Sequence, residues 1–213
     1  MRVMTAATEI AERFKRETAN HEMTVLHDDG LYRHVRFMAP NSGLYHFDLV
    51  TWPGYLSISG DIDGYVFRRA DDMFQFFRGS AWNGEPNFTY WDEKVTAGRD
   101  GLKTYNEDLL HECVADELKD AEENYPGVTD AWTNATTGIL PDYYTTTEQD
   151  ARYALEQFTY LPDGENGKPF RFYDTWEWNL RDYNWSFLWA CCAIVWGIAR
   201  YDAAQAVGQA VAS

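Results

Sequence analysis

Enzyme chemistry in a chain of this kind rests on histidines, cysteines and paired carboxylates; here the histidine and cysteine spacings are missing, and carboxylate pairs are so common that none stands out. The histidines are His21, His27, His34, His46 and His111. A zinc-hydrolase helix places two histidines one turn apart, so that both imidazoles reach one ion. His111-Glu112 opens such a pattern, but Cys113, Val114 and Ala115 follow, and no second histidine completes it. Cys113, Cys191 and Cys192 lack zinc-finger spacing. Asp61-x-Asp63-Gly64 begins like a calcium loop, yet the later oxygen ligands do not follow, and a hairpin turn accounts for the segment. There is no Gly-x-Ser-x-Gly elbow, P-loop or dinucleotide fingerprint. Neither a metal nor another cofactor is expected.

Two sets of residues remain. The first is a short polar row. Leu44 to Thr51 alternates, with Tyr45, Phe47 and Leu49 on one side and His46 and Asp48 on the other. A pocket over that polar face, near His46, Asp48 and Tyr55, would suit a small molecule or a nucleotide. A solvated strand face explains the same residues without a ligand. The second set is acidic. Between Asn106 and Asn124, a helical stripe of Leu109, Leu110, Cys113, Val114, Leu118 and Ala121 turns one side inward. Glu112, Asp116, Glu117, Asp120 and Glu123 then face solvent, with Lys119 the sole Lys or Arg in the segment. Acidic helix faces usually interleave Lys one turn along, which relieves the repulsion. An unrelieved face fits a basic groove, although a solvated surface would look the same.

The elements that position these residues read in order along the chain. Residues 5–19 form an amphipathic helix through Ala7, Ile10, Ala11 and Phe14. Leu31–Met38, Leu44–Thr51, Tyr55–Ser59 and Tyr65–Arg68 are strands, separated by turn chemistry at Pro40–Gly43, Trp52–Gly54 and Asp61–Gly64. Ala70–Arg78 switches to helical period. Residues 80–104 read as an irregular connection. Asn106 and Thr147 cap later helices, and 128–145 is rich in Thr and Tyr without a period. Asp163–Pro169 is a polar loop, and Phe170–Trp178 is a strand or a short helix. Asn184 can cap the last helix, and the tail from Gln205 is expected to fray. The fold class is α+β within one domain of residues 1–213. It has an antiparallel meander of about four strands in the N-terminal third, several covering helices and a buried C-terminal helix.

Composition sets the wider bounds. The chain has 213 residues, 45% of them hydrophobic, enough for a core without staples. Three cysteines, two of them adjacent, do not make a disulfide framework and read as reduced cytosolic thiols. Trp185–Ala199 is the most apolar run. It is shorter than the roughly 20 residues of a bilayer span and is bracketed by Arg181, Asp182, Arg200 and Asp202, so it reads as a core helix. The N-terminus reads as a surface helix and not as a secretory signal. A net charge of −16 opposes direct binding to nucleic acid, which needs Lys and Arg on phosphates, and favours basic partners or mimicry of a polyanion. Aromatic residues make up 16% of the chain, including nine tryptophans. Core packing is the default use of so much ring area, and interface anchoring is the other.

Phe47–Phe67 (FDLVTWPGYLSISGDIDGYVF), the RRADDMFQFFRG that follows, and Phe187–Asp202 (FLWACCAIVWGIARYD) together resemble a family of hypothetical proteins encoded by bacteriophages and prophages. The resemblance spans the meander and the last helix, leaves out the middle of the chain, and carries no catalytic residues. It implies expression in a bacterial cytoplasm during infection, where small acidic phage proteins often block host nucleic-acid machinery and defence nucleases. The expectation is a non-catalytic, anti-defence or anti-CRISPR-like protein. It would bind a basic host protein, and neither nucleic acid nor a membrane directly. The alternative is a small-molecule or nucleotide site over the meander.

Overall fold

The structure, a computed structural model, describes the backbone of residues 2–81, 84–162 and 167–212, and the side chains of 7–81, 84–162 and 167–208. Trp82 and the 163–166 part of the polar loop lie outside the described residues. The chain divides into two compact units, residues 1–102 with 183–213, and residues 103–182. Among the described residues there are seven α-helices and a six-stranded antiparallel sheet, so the class is α+β.

The first unit opens with α1 (Arg2–Glu17). The meander follows: β1 (Glu22–Asp29), β2 (Tyr32–Ala39), β3 (Ser42–Trp52), β4 (Tyr55–Gly60) and β5 (Tyr65–Arg68). Next come α2 (Met73–Ser80), α3 (Phe88–Asp92) and β6 (Val95–Ala97). The sheet order is sequential from β1 to β6. Four strands were legible by alternation, because one side of each is buried: Val35 and Phe37, Phe47 and Leu49, Leu56 and Ile58, Tyr65 and Phe67. The expectation of about four strands is corrected to six. β1 is an edge strand with both sides largely in water, and its register shifts between Val25 and His27, so no inward pattern marks it. β6 has three residues, too few for a period.

One face of this sheet is covered by α1, α2 and α7 (Trp185–Ala212). Asp72 starts α2 by accepting from the amides of Phe74 and Gln75, which turns Met73, Phe74 and Phe77 into the core. In α7 the run from Ser186 to Ile194 is buried on every side, which its all-round apolar sequence requires. α7 is long and apolar enough by length and composition to cross a membrane, yet most of that window is packed inside this unit. Trp196 is half-buried, edge-on to Phe14 and Phe37, and Trp189 is the fully buried indole of this helix. The helix continues to Ala212, through the segment expected to fray. At Gly197 a Cβ would stand 2.8 Å from a methyl of Leu49 and 3.0 Å from the Phe37 ring, so glycine sets the approach of helix to sheet there.

The second unit holds α4 (Glu107–Ala121), α5 (Val128–Thr136) and α6 (Glu148–Gln157). β7 (Lys103–Tyr105) pairs with β8 (Arg181–Tyr183). Asn106 and Thr147 cap α4 and α6 as their side chains suggested. α5 was hidden within the Thr- and Tyr-rich stretch. Gly127, with φ of +85°, opens it in a conformation that suits glycine, and a Cβ there would meet the Tyr160 hydroxyl at 2.9 Å. Leu110, Val114 and Leu118 of α4 meet Val128 and Trp132 of α5 and Ala151, Ala154 and Leu155 of α6. Trp132 packs edge-on to Phe158 and Phe172. Phe170–Trp178 is neither a full strand nor a helix. It pairs once, at Phe170 with Tyr160, and then makes a 3-10 turn at Thr175–Glu177.

Candidate functional site

The polar row of the meander does not converge. Antiparallel pairing puts Asp48 opposite Arg36 on one side and Ser59 on the other, while Tyr55 pairs with Trp52. Asp48 and Tyr55 therefore stand about 13 Å apart along the strands, four residues at the strand rise. His46 does not bond Asp48. Its Nδ1 lies 2.7 Å from the carbonyl oxygen of Gly43, three residues back. Asp48 instead accepts two hydrogen bonds from Arg36, each 2.8 Å, and lies 2.8 Å from His34 Nε2. Burial pushes the Asp48 carboxyl up, but the bonds from Arg36 and His34 outweigh it and hold the group below the usual carboxylate range. Tyr55 stacks on Trp52 at 5.1 Å, with the Arg68 guanidinium 5.3 Å from its ring. Cross-strand pairs of this kind stabilise sheets. A cleft of 590 Å³ elsewhere in this unit is lined by Asp72, Gln75, Phe76, Asn87 and Tyr90, and takes in none of His46, Asp48 and Tyr55.

Asp61, Asp63 and the two cysteines of the first unit belong to the fold. Asp61 accepts from the amide of Tyr45 at 2.8 Å, and Asp63 from the hydroxyl of Ser186 at 2.9 Å, so the calcium-like turn spends its carboxylates on the fold. Among the described residues no group of three His, Cys, Asp or Glu side chains is placed to hold a metal. Cys191 and Cys192 are buried free thiols. Burial raises both, with Cys192 pushed up to about 12, so neither is a thiolate at neutral pH.

The acid in this protein is concentrated in the second unit. Residues 103–182 hold eighteen Asp and Glu against six Lys and Arg, whereas the other unit holds sixteen against twelve. From Asp120 to Ala151 there is no Lys, Arg or His at all. Along α4, Glu112, Asp116, Glu117 and Asp120 are exposed, and Glu123 is exposed just past the helix end. Asp116, Glu117, Asp120 and Glu123 make no ion pair among the described residues. Glu117 and Asp120 border a 290 Å³ cleft whose other side carries Lys168 and Arg171, so relief of the negative field is local to that edge.

Two other acids of this unit, Glu122 and Glu148, are spent. Glu122 accepts from the amides of Gly127 and Thr129 and from the Thr129 hydroxyl, and these bonds lower its pKa. Glu148 is raised by burial, but Arg181 and Arg152 hold it below the usual range. Asp116, Glu117, Asp120 and Glu123 have no such internal task among the described residues.

Exposed apolar groups accompany this charge. Ile139 is 97% exposed and Leu140 88%, and Trp176 is 74% exposed. Sequence reasoning passed over Ile139 and Leu140. The available signal was an adjacent aliphatic pair, between Gly138 and Pro141, that belongs to no periodic stripe.

No family model, curated protein or solved structure matches this chain. The class that fold and surface define is an α+β protein with a strongly acidic second unit.

Proposed function

We propose that this is a non-catalytic binding protein whose acidic second unit occupies a basic, nucleic-acid-binding groove on a host protein. The observation that carries the reading is the partition of charge. Eighteen acids against six bases sit in 80 residues, and Asp116, Glu117, Asp120 and Glu123 make no ion pair among the described residues. A dense anionic surface of this kind attracts a basic groove from a distance and competes with phosphates for its Lys and Arg. The resemblance to phage-encoded proteins makes the target a bacterial defence or nucleic-acid-processing protein, and the role inhibition.

The test uses the chain itself as bait in bacterial lysate, followed by binding of the captured protein at two salt concentrations. Association should weaken as salt rises, because mobile ions screen the attraction. Asp116→Lys, Asp120→Lys and Glu123→Lys combined should abolish capture while moving stability by less than about 0.5 kcal/mol per site. DNA or RNA should displace this chain from its partner. Undiminished binding by the triple variant at both salts would reduce the face to a solvated surface.

A further inference from the structure

We infer that the loop between α5 and α6 is a preformed apolar prong, and that it enters an apolar pocket rimmed by Lys and Arg on the protein that receives the acidic face. This rests on the binding reading above. The prong is built in three steps. Thr137 ends α5, its amide and hydroxyl both bonding the Thr133 carbonyl. Gly138, at φ of +114°, turns the chain outward. The amide of Tyr143 then donates back to the carbonyl of Ala135 at 2.9 Å, which closes residues 136–142 into a loop with a fixed base.

The stem beyond the base is tied down. The hydroxyl of Tyr105 donates to the carbonyl of buried Thr145 at 2.7 Å, and the Thr145 hydroxyl donates to Glu107 at 2.6 Å. Ile139 and Leu140 stand at the tip with almost all their surface in water. Single exposed aliphatic residues are ordinary, but an adjacent pair on a braced loop is the geometry of an anchor.

Charge decides what the prong enters. It lies within the stretch from Asp120 to Ala151, which has seven acids and no base. An anionic lipid surface repels such a segment, and a membrane-seeking loop would carry Lys or Arg beside its apolar tip. A second copy of the same unit is repelled as well. A pocket with a basic rim is attracted by the same carboxylates that surround the prong.

Two peptides of equal charge serve as probes, measured by calorimetry at low and physiological salt. One is lysine alone. The other adds leucines spaced to give a helix an apolar stripe and a basic rim. The leucine–lysine peptide should bind the parent chain at least about tenfold more tightly, from burial of the two side chains. Ile139→Ser with Leu140→Ser should erase that advantage and leave both the lysine-peptide affinity and the melting temperature unchanged. Equal binding of the two peptides by the parent overturns the prong and leaves the acidic-face reading standing. Failure of both peptides to bind overturns both. Binding to phosphatidylcholine vesicles, or self-association in sedimentation equilibrium, that the double variant loses would overturn the inference by making a lipid surface or a second copy the occupant.

Discussion

The indole N–H of Trp189, in the middle of the last helix's buried run, donates to the carboxylate of Glu17 at the end of the first helix, at 2.8 Å. The same carboxylate accepts from Arg13 at 2.7 Å. Trp189 is 1% exposed, so its N–H has no water to fall back on. Glu17→Ala should destabilise the fold by about 1–3 kcal/mol, because a buried donor is left unmade. Glu17→Gln keeps an acceptor and should cost less. Urea midpoints at unchanged slope would measure both.

Gly197→Ala should also destabilise, by about 1–3 kcal/mol, as overpacking does in a filled core. The added methyl would press on Leu49 and Phe37, both fully buried and unable to retreat far. Alanine has the higher helix propensity, so a stabilised variant in thermal melts would show that helix and sheet can separate at this point.

Stability should fall on acidification, and Asp72 should be one cause. Burial raises its pKa, but the bonds from Arg33, at 3.0 and 3.2 Å, and from the α2 amides hold it below its ordinary value of 3.8. A carboxylate whose folded pKa is depressed contributes stability that is present above its unfolded pKa. That contribution is lost as pH falls through the folded one. Asp72→Asn keeps the helix cap and removes the charge. Its melting temperature should therefore be lower at neutral pH and should drop less steeply below about pH 4.

Thiol labelling should separate the three cysteines. At pH 8 the folded chain should react at Cys113 first, since it is half-buried, and slowly, since burial and the neighbouring Asp116 and Glu112 raise its pKa. Cys191 and Cys192 should react only on unfolding. Fast labelling of either in the native chain would show that the last helix opens readily.

Patterns with one wet and one dry side were legible before the structure. Phe37, Phe47, Leu49 and Phe67 alternate along strands, and Leu110, Val114 and Leu118 recur along a helix, because burial on one side writes its period into the sequence. The caps at Asn106 and Thr147 were legible for a local reason, since each side chain bonds an amide two or three residues on. β1 was not legible, because an edge strand needs only a neighbour on one side and no buried face. α5 was not, because it begins at a glycine and is held by the packing of Trp132 and Val128.

The sequence by itself determined the charge, the lack of metal-ligand and nucleophile spacing, and the acids of the α4 face. All of these follow from residue identity and local period. Tertiary structure decided which polar groups are already engaged. Asp48 belongs to Arg36 and His34 and not to His46, and Asp63 belongs to Ser186, 123 residues away. It also decided that Ile139 and Leu140 are bare. An aliphatic pair is equally at home in a core, and the closure of Tyr143 onto Ala135 and the long-range hold on Thr145 turn it outward, through bonds that leave no period in the chain.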